Sequence, residues 1–332
     1  MNKETNLQHG AVEDTPDDRD YFYELPLGAS PITEAEWNRG FDIEQELGFI
    51  MPKKNQFASL SCVGQAISQY VAVKNTVETG VYDEVSAKAI YSQIFLPQGG
   101  AYFRDGMKLI KDWGSLFEER LKSYRENGTT DETFMRDKSW KNDELDKVAK
   151  FLQAYDYKSI TGYTIDIFAQ AIRDNHGVLA GVTGTNNGTW YSETPLSPNQ
   201  STPQSELWGH ALYFGKFGKD SRGKWIASPN SWGNLTFWQK FYEDEWFLKK
   251  NSLGGSWMFS PWTLQDKPNN NFMNTNVKVI KDKNSSAVGI WLPALSEQAL
   301  KSLCLNFGIN VPKNPDGGVD WGNWIQGEVT LK

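Results

Sequence analysis

Cysteine and histidine are the scarce residues of this 332-residue chain: Cys62 and Cys304 of the first, and His9, His176 and His210 of the second. Two cysteines 242 positions apart (304 − 62) make no disulfide framework. No close Cys or His pairs stand ready to frame a structural zinc, so no metal is expected, and no organic cofactor either. Long apolar runs are missing, none approaching the ~18 residues of a membrane span. The first 20 residues are polar and acidic where a secretory signal would carry an apolar core. Basic charge is short as well. The 34 Lys and Arg against 41 Asp and Glu give a net −7 and a pI near 5.2, a poor match to phosphate backbones. A membrane-spanning chain, a disordered chain and a nucleic-acid binder are set aside, and a cytoplasmic or virion-associated protein is expected.

What the chain has in plenty is aromatic residues, with 14 Trp, 13 Tyr and 18 Phe, ample material for a packed interior. At about 150 residues per domain, the length suggests two domains or one large domain with an appendage. Residues 1–13 read as a polar arm. In Ser61-Cys62-Val63-Gly64-Gln65-Ala66-Ile67-Ser68-Gln69-Tyr70-Val71 the apolar residues fall at 63, 66, 67, 70 and 71, a helical spacing. Ser61 or Ser59 is the expected N-cap, which puts Cys62 in the first turn. Further helices are expected over 86–96, 105–113, 144–154 and 165–173. Strands are expected over 178–182, 211–215, 224–228, 237–242 and 256–260, with a long polar loop over 184–208 that reads as a lid or an elaborated surface loop. Helices first and strands after is an α+β order. A polar linker (265–276) then leads to a small module over 277–332, with a strand at 277–280, a helix at 297–307 and a possible binding partner of its own.

The chemistry centres on Cys62. A nucleophilic thiol needs a lowered pKa, a base, and donors for the developing oxyanion. The first turn of a helix offers the first through the macrodipole. His210, in Gly209-His210-Ala211 at the head of a strand, is the base. Asn230, in Ser228-Pro229-Asn230-Ser231-Trp232-Gly233 at the end of the next strand, can orient the imidazole, with Trp232 screening that bond. Gln56, six residues before the thiol, can aim its amide at the same point as the Cys62 N–H.

On these residues the sequence resembles the papain family of cysteine peptidases. Asn55-Gln56 leads, Gln56 precedes Cys62 by six, Ser61 precedes it by one, and His210 lies 148 residues on (210 − 62). Gly-His-Ala and Asn-Ser-Trp-Gly match the family's His and Asn segments. Gly99-Gly100 looks like the family's glycine pair, which implies a backbone platform for substrate. Trp232 is taken as a further substrate-side residue. Thr15-Pro16-Asp17-Asp18-Arg19-Asp20-Tyr21 looks like the start of the catalytic domain in bacterial-type members, so the resemblance covers 14–264. It implies a two-lobed fold, a helical lobe and an antiparallel β lobe, with a small C-terminal α/β appendage. It also implies peptide-bond hydrolysis by Cys62, His210 and Asn230, with Gln56 in the oxyanion hole and a peptide or protein as substrate. Val63 replaces the family's aromatic, the usual upstream cysteine is gone around Ala58, and no long propeptide is visible before Gln56.

Other readings compete. The same site on a cell-wall peptide makes an amidase, and a catalytically idle fold makes a structural or particle component. A transglutaminase-like acyl transferase is weaker, because those sites pair His with Asp. Cys304 reads as a buried hydrophobe, His176 as a turn residue and His9 as part of the arm. The Trp-rich run 225–262 reads as sheet core rather than a carbohydrate platform, and Glu243-Asp244-Glu245 as a solvated face.

Overall fold

The computed structural model describes residues 10–265, apart from 19, 24–31, 163 and 234, together with the strand residues 278–281 and 288–291. In chain order the elements are β1 (Ala11–Val12), β2 (Phe22–Tyr23), α1 (Glu34–Arg39), β3 (Phe41–Asp42), α2 (Ile43–Leu47), α3 (Cys62–Thr79) and α4 (Ala87–Ile94). They continue with β4 (Ala101–Tyr102), α5 (Phe103–Asp112), α6 (Glu132–Arg136), α7 (Asp143–Ala149), β5 (Asp156–Ile160), α8 (Ile165–Asn175) and β6 (Val178–Gly184). The β half closes with β7 (Trp208–Phe214), β8 (Lys216–Asp220), β9 (Gly223–Ser228), β10 (Gln239–Tyr242) and β11 (Met258–Gln265). A separate antiparallel hairpin pairs β12 (Lys278–Lys281) with β13 (Val288–Trp291). The expected helix at 297–307 and Cys304 lie outside the described residues.

α3 is the axis of the helical half. Every residue from Cys62 to Thr76 is buried, as expected of a helix packed on all sides. Gly64 makes one contact possible, since a Cβ there would stand 2.9 Å from the Ala87 carbonyl and 2.8 Å from the Tyr91 Cβ. The helix ends at Gly80, whose left-handed φ of 73° closes the last turn. α3 lies on a five-stranded sheet of order β2-β5-β11-β6-β7, and a four-stranded sheet β10-β9-β8-β3 continues the β half.

The period of two along the strands divides the interior. On β7, Ala211 and Tyr213 join Cys62, Ile67 and Tyr70 in the core beneath α3. Leu212 and Phe214 turn the other way, into a second core with Ile226, Phe241, Trp246 and Trp257. Trp246, Trp257 and Trp262 are at most 1% exposed, so these three tryptophans of the run are core, while Trp225 and Trp238 are partly buried. β11 continues through Gln265, one residue into the stretch expected to be linker.

Two expectations change. Glu245 is buried, and its carboxylate accepts hydrogen bonds from Ser197 N and Oγ (both 3.0 Å) and from Lys249 Nζ (2.7 Å). It turns inward because it ties down the 184–208 loop, and so is not part of a solvated face. The folded body also begins before residue 14, inside the stretch expected to be a polar arm. Gly10 to Val12 belong to the folded body, and Ala11 and Val12 pair in parallel with Ala101 and Tyr102.

Candidate active site

Three segments converge on one cleft. Gln56 N donates to Ser231 O (2.8 Å) and Gly233 N to Lys54 O (2.9 Å), which zips the loop before α3 to the loop after β9. β7 lies against the start of α3, and the backbone of Ala211, Val63 and Cys62 itself is close enough to the thiol to favour its thiolate form. Ser61 is the N-cap but makes no capping bond. Its Oγ lies 2.6 Å from Ser59 Oγ, so the first-turn N–H groups are left to face the sulfur.

His210 is fully buried, and its Nε2 lies 2.8 Å from Asn230 Oδ1. The tautomer follows from the network. Asn230 Oδ1 also accepts from Ser231 N (2.6 Å), while Asn230 Nδ2 donates to Gln239 Oε1 (2.6 Å). Oδ1 is thus an acceptor, Nε2 carries the hydrogen, and Nδ1 keeps its lone pair. Among the described residues Nδ1 has no hydrogen-bond partner. Asn230 sits at φ 55°, a left-handed conformation that asparagine tolerates.

The Trp232 ring stacks on the imidazole at 4.3 Å and 22°. It is 7% exposed, so it backs the histidine rather than facing a substrate. Gln56 is fully buried. Its Oε1 accepts from Ser231 Oγ (2.7 Å) and its Nε2 donates to Ser59 O (3.0 Å).

Gln239 was not visible as a site residue. Besides holding Asn230, its Nε2 donates to Trp190 O (2.7 Å) and Ser192 O (2.9 Å), which fixes the inner end of the 184–208 loop as a wall. No local sequence signal marks it, because its partner is nine residues away on a loop. Gln239→Leu is expected to cut kcat about tenfold with KM held, and to cost ~1–3 kcal/mol of stability by orphaning the buried Asn230 amide. Steady-state kinetics beside urea unfolding test this.

The cleft is filled from within. Ala101 N donates to Gly10 O (2.8 Å), and the Gly10 backbone is close enough to the Cys62 thiol to favour its thiolate form. A Cβ on Gly100 would come within 2.3 Å of Gly10 O, and one on Gly209 within 2.2 Å of Ala11 O. Both sites need glycine for this close approach. The pairing N–H of the platform is that of Ala101, one residue beyond the expected Gly99-Gly100. The strap is anchored past the cleft. Asp14 accepts from Trp262 Nε1 (2.8 Å) and Arg104 N (3.2 Å), its own N–H donates to Ser260 Oγ (2.8 Å), and Arg104 pairs with Asp20 (2.6 Å).

Burial decides the protonation states. It pushes the Cys62 thiol up to about 11 against the pull of the surrounding backbone N–H groups. It lowers His210 to about 4, with the Asn230 bond acting the other way. The sequence leads one to expect a thiol acidified by the helix start. In this closed arrangement desolvation outweighs that effect, and at pH 7 thiol and imidazole are both neutral.

Among the described residues no group of three His, Cys, Asp or Glu is placed to hold a metal ion, and no helix is long and apolar enough to cross a membrane. No protein-family model matches the sequence, and no curated protein matches it. Solved structures do match the fold. Xylellain, a cysteine protease from Xylella fastidiosa, superposes with a TM-score of 0.59 at 17% identity, over 79% of this chain and 97% of that one. A proCathepsin B from Trypanosoma congolense gives 0.57 at 11% identity, over 78% and 87%. Procathepsin L 3 from the larval midgut of Tenebrio molitor gives 0.55 at 14%, over 78% and 76%. The chain has the papain-like α+β fold.

Proposed function

We propose that the chain is a cysteine peptidase held closed by its own N-terminal strap. The observation that carries this is the ordered set at the cleft. Cys62 stands at an uncapped helix start and packs in one cluster with Ala211, the residue next to His210, and His210 is held by Asn230 with Nδ1 left unpartnered. With the strap displaced, Nδ1 takes the thiol proton, the sulfur attacks the carbonyl carbon of an extended peptide, and the imidazolium gives the proton to the leaving amine as the C–N bond breaks. A water that loses its proton to Nδ1 then attacks the thioester carbon, the C–S bond breaks, and the imidazolium returns the proton to the sulfur. The first-turn N–H of Cys62 and the Gln56 amide meet the oxyanion. Asn230 keeps the ring oriented through both transfers. Residues 14–264 are taken as the peptidase unit and 277–332 as an accessory module.

The occluded cleft gives specific support to a second reading, an idle fold that never opens. The test is hydrolysis of denatured casein by the full chain and by a Gly10→Val variant. Cleavage by the variant that is abolished by Cys62→Ala supports a latent peptidase. No cleavage of casein or of muropeptides by either form supports the idle fold, and cleavage of muropeptides alone supports the amidase.

A further inference from the structure

The slot that receives Gly10 has two walls, one hydrogen-bonded directly to the Glu132 carboxylate and the other linked to it through the Tyr91 hydroxyl. Leu60 N donates to Glu132 Oε2 (2.7 Å). On the opposite wall Gly100 N donates to Tyr91 Oη (3.1 Å), and the Tyr91 hydroxyl donates to Glu132 Oε1 (2.6 Å). Arg136 Nε also donates to Oε1 (2.6 Å), and its Nη1 donates to Pro97 O (3.3 Å) at the base of the glycine loop. Gly10 sits between these walls, where a Cβ would meet Leu60 O at 1.8 Å. Tyr91 is fully buried, and Glu132 begins the short helix α6, held against the nucleophile loop by the bridge of Ala58 to Asp131.

We infer that Glu132, acting directly on Leu60 and through Tyr91 on Gly100, is the positioning residue that sets the width of the main-chain slot beside Cys62. No disulfide ties the nucleophile loop, which lacks the family's upstream cysteine. A charged acceptor that takes one N–H from the near wall and a phenol from the far wall clamps the two together. Charge-assisted bonds of this kind are the stronger class, so their loss registers at both walls. Arg136 neutralises the carboxylate and carries the clamp on to Pro97. The inference rests on the peptidase reading only for the identity of the chain that replaces the strap. The clamp itself is a property of the closed form.

The test is residue-resolved amide hydrogen exchange on the full-length chain. Glu132→Gln cannot accept from all three donors, and exchange at Leu60 and Gly100 is expected to quicken about tenfold or more, with Cys62 labelling rising in step as the strap loosens. Tyr91→Phe, which removes one oxygen and keeps the ring in its packing, is expected to quicken Gly100 by a similar factor and leave Leu60 unchanged. A uniform rise along α3 and the sheet would make Glu132 a general stability residue and overturn the proposal. Unchanged exchange at Gly100 in Tyr91→Phe would overturn it too. If the strap-released enzyme cleaves peptides, Glu132→Gln is expected to raise KM about tenfold with kcat within a factor of two. An absence of cleavage bears on the peptidase reading and leaves the exchange result standing.

Discussion

Gly10→Val is expected to raise peptide hydrolysis by the full chain about 100-fold. The argument is steric. A Cβ at residue 10 would lie 1.8 Å from the Leu60 carbonyl oxygen and 3.0 Å from its Cα. Both are backbone atoms, and the clamp of Glu132 and Tyr91 holds that wall in place. Overpacking of this kind costs about 1–3 kcal/mol or more. An intrachain occupant enjoys a high effective concentration but makes few contacts of its own, so a penalty of that size shifts it out of the cleft. The anchors at Asp14 and Arg104 lie outside the slot and remain intact, so thermal unfolding of the body is expected to move little. A variant with unchanged activity and an unchanged Cys62 labelling rate would mean that the strap does not govern access.

Acid is expected to open the same gate, and the sign follows from His210. Its folded pKa is depressed, from 6.5 to about 4, because it is buried, with the Asn230 bond acting the other way. The stability this group gives the folded chain is therefore present above pH 6.5 and is lost as pH falls through about 4, and the strap over the site is the part of the fold expected to yield first. Cys62 acts in the opposite range. Its pKa is raised from 9.0 to about 11, so its contribution is present below pH 9 and is lost as pH climbs toward 11. Closure is tightest between these limits. Asp14 opposes His210 at the acid end, since burial raises its carboxyl and makes its neutral form the easier one to keep in place. Activity of the unaltered chain measured from pH 7 down to pH 4.5 should therefore rise, and the rise should be absent in Gly10→Val, which is already open.

In the opened background, Cys62→Ala is expected to abolish hydrolysis, a fall of about 10⁴-fold or more, and His210→Ala a fall of similar size. Members of such a unit act together, so the double variant should lose no more than either single one. Asn230→Ala is expected to cost less, about 10–100-fold, because it removes the orientation of the ring and leaves the dyad in place. Equal losses at all three positions, or a double variant much worse than the singles, would point to a role in folding rather than in a shared chemical step.

The site was legible where its signals are local. A serine and a cysteine ahead of a helical spacing, a glycine before a strand histidine, and an asparagine in a Ser-Trp-Gly turn are each local patterns, and the fold joins His210 to Asn230 and the Gln56 loop to Ser231. The α+β order was legible for the same reason: α3 and the strands around His210 carry clear periods of 3.6 and two. What stayed hidden is non-local. Ala11 pairs with Ala101, 90 residues away, and two residues of strand in a polar arm carry no periodicity to read. Gln239, Glu132 and Tyr91 look like ordinary strand and helix residues, and only their partners across the cleft give them meaning. Glu245 misled because charge alone does not say which way a side chain turns. The fourth strand of the smaller sheet, β3, was missed because it is only two residues long.

The most direct measurement is the rate of Cys62 alkylation by iodoacetamide at pH 6 in the Gly10→Val chain, with and without His210→Ala, mapped by peptide mass. The account predicts modification of Cys62 well ahead of Cys304, with that advantage lost in the histidine variant because no imidazole remains to take the thiol proton. Equal labelling of Cys62 with and without His210 would contradict it.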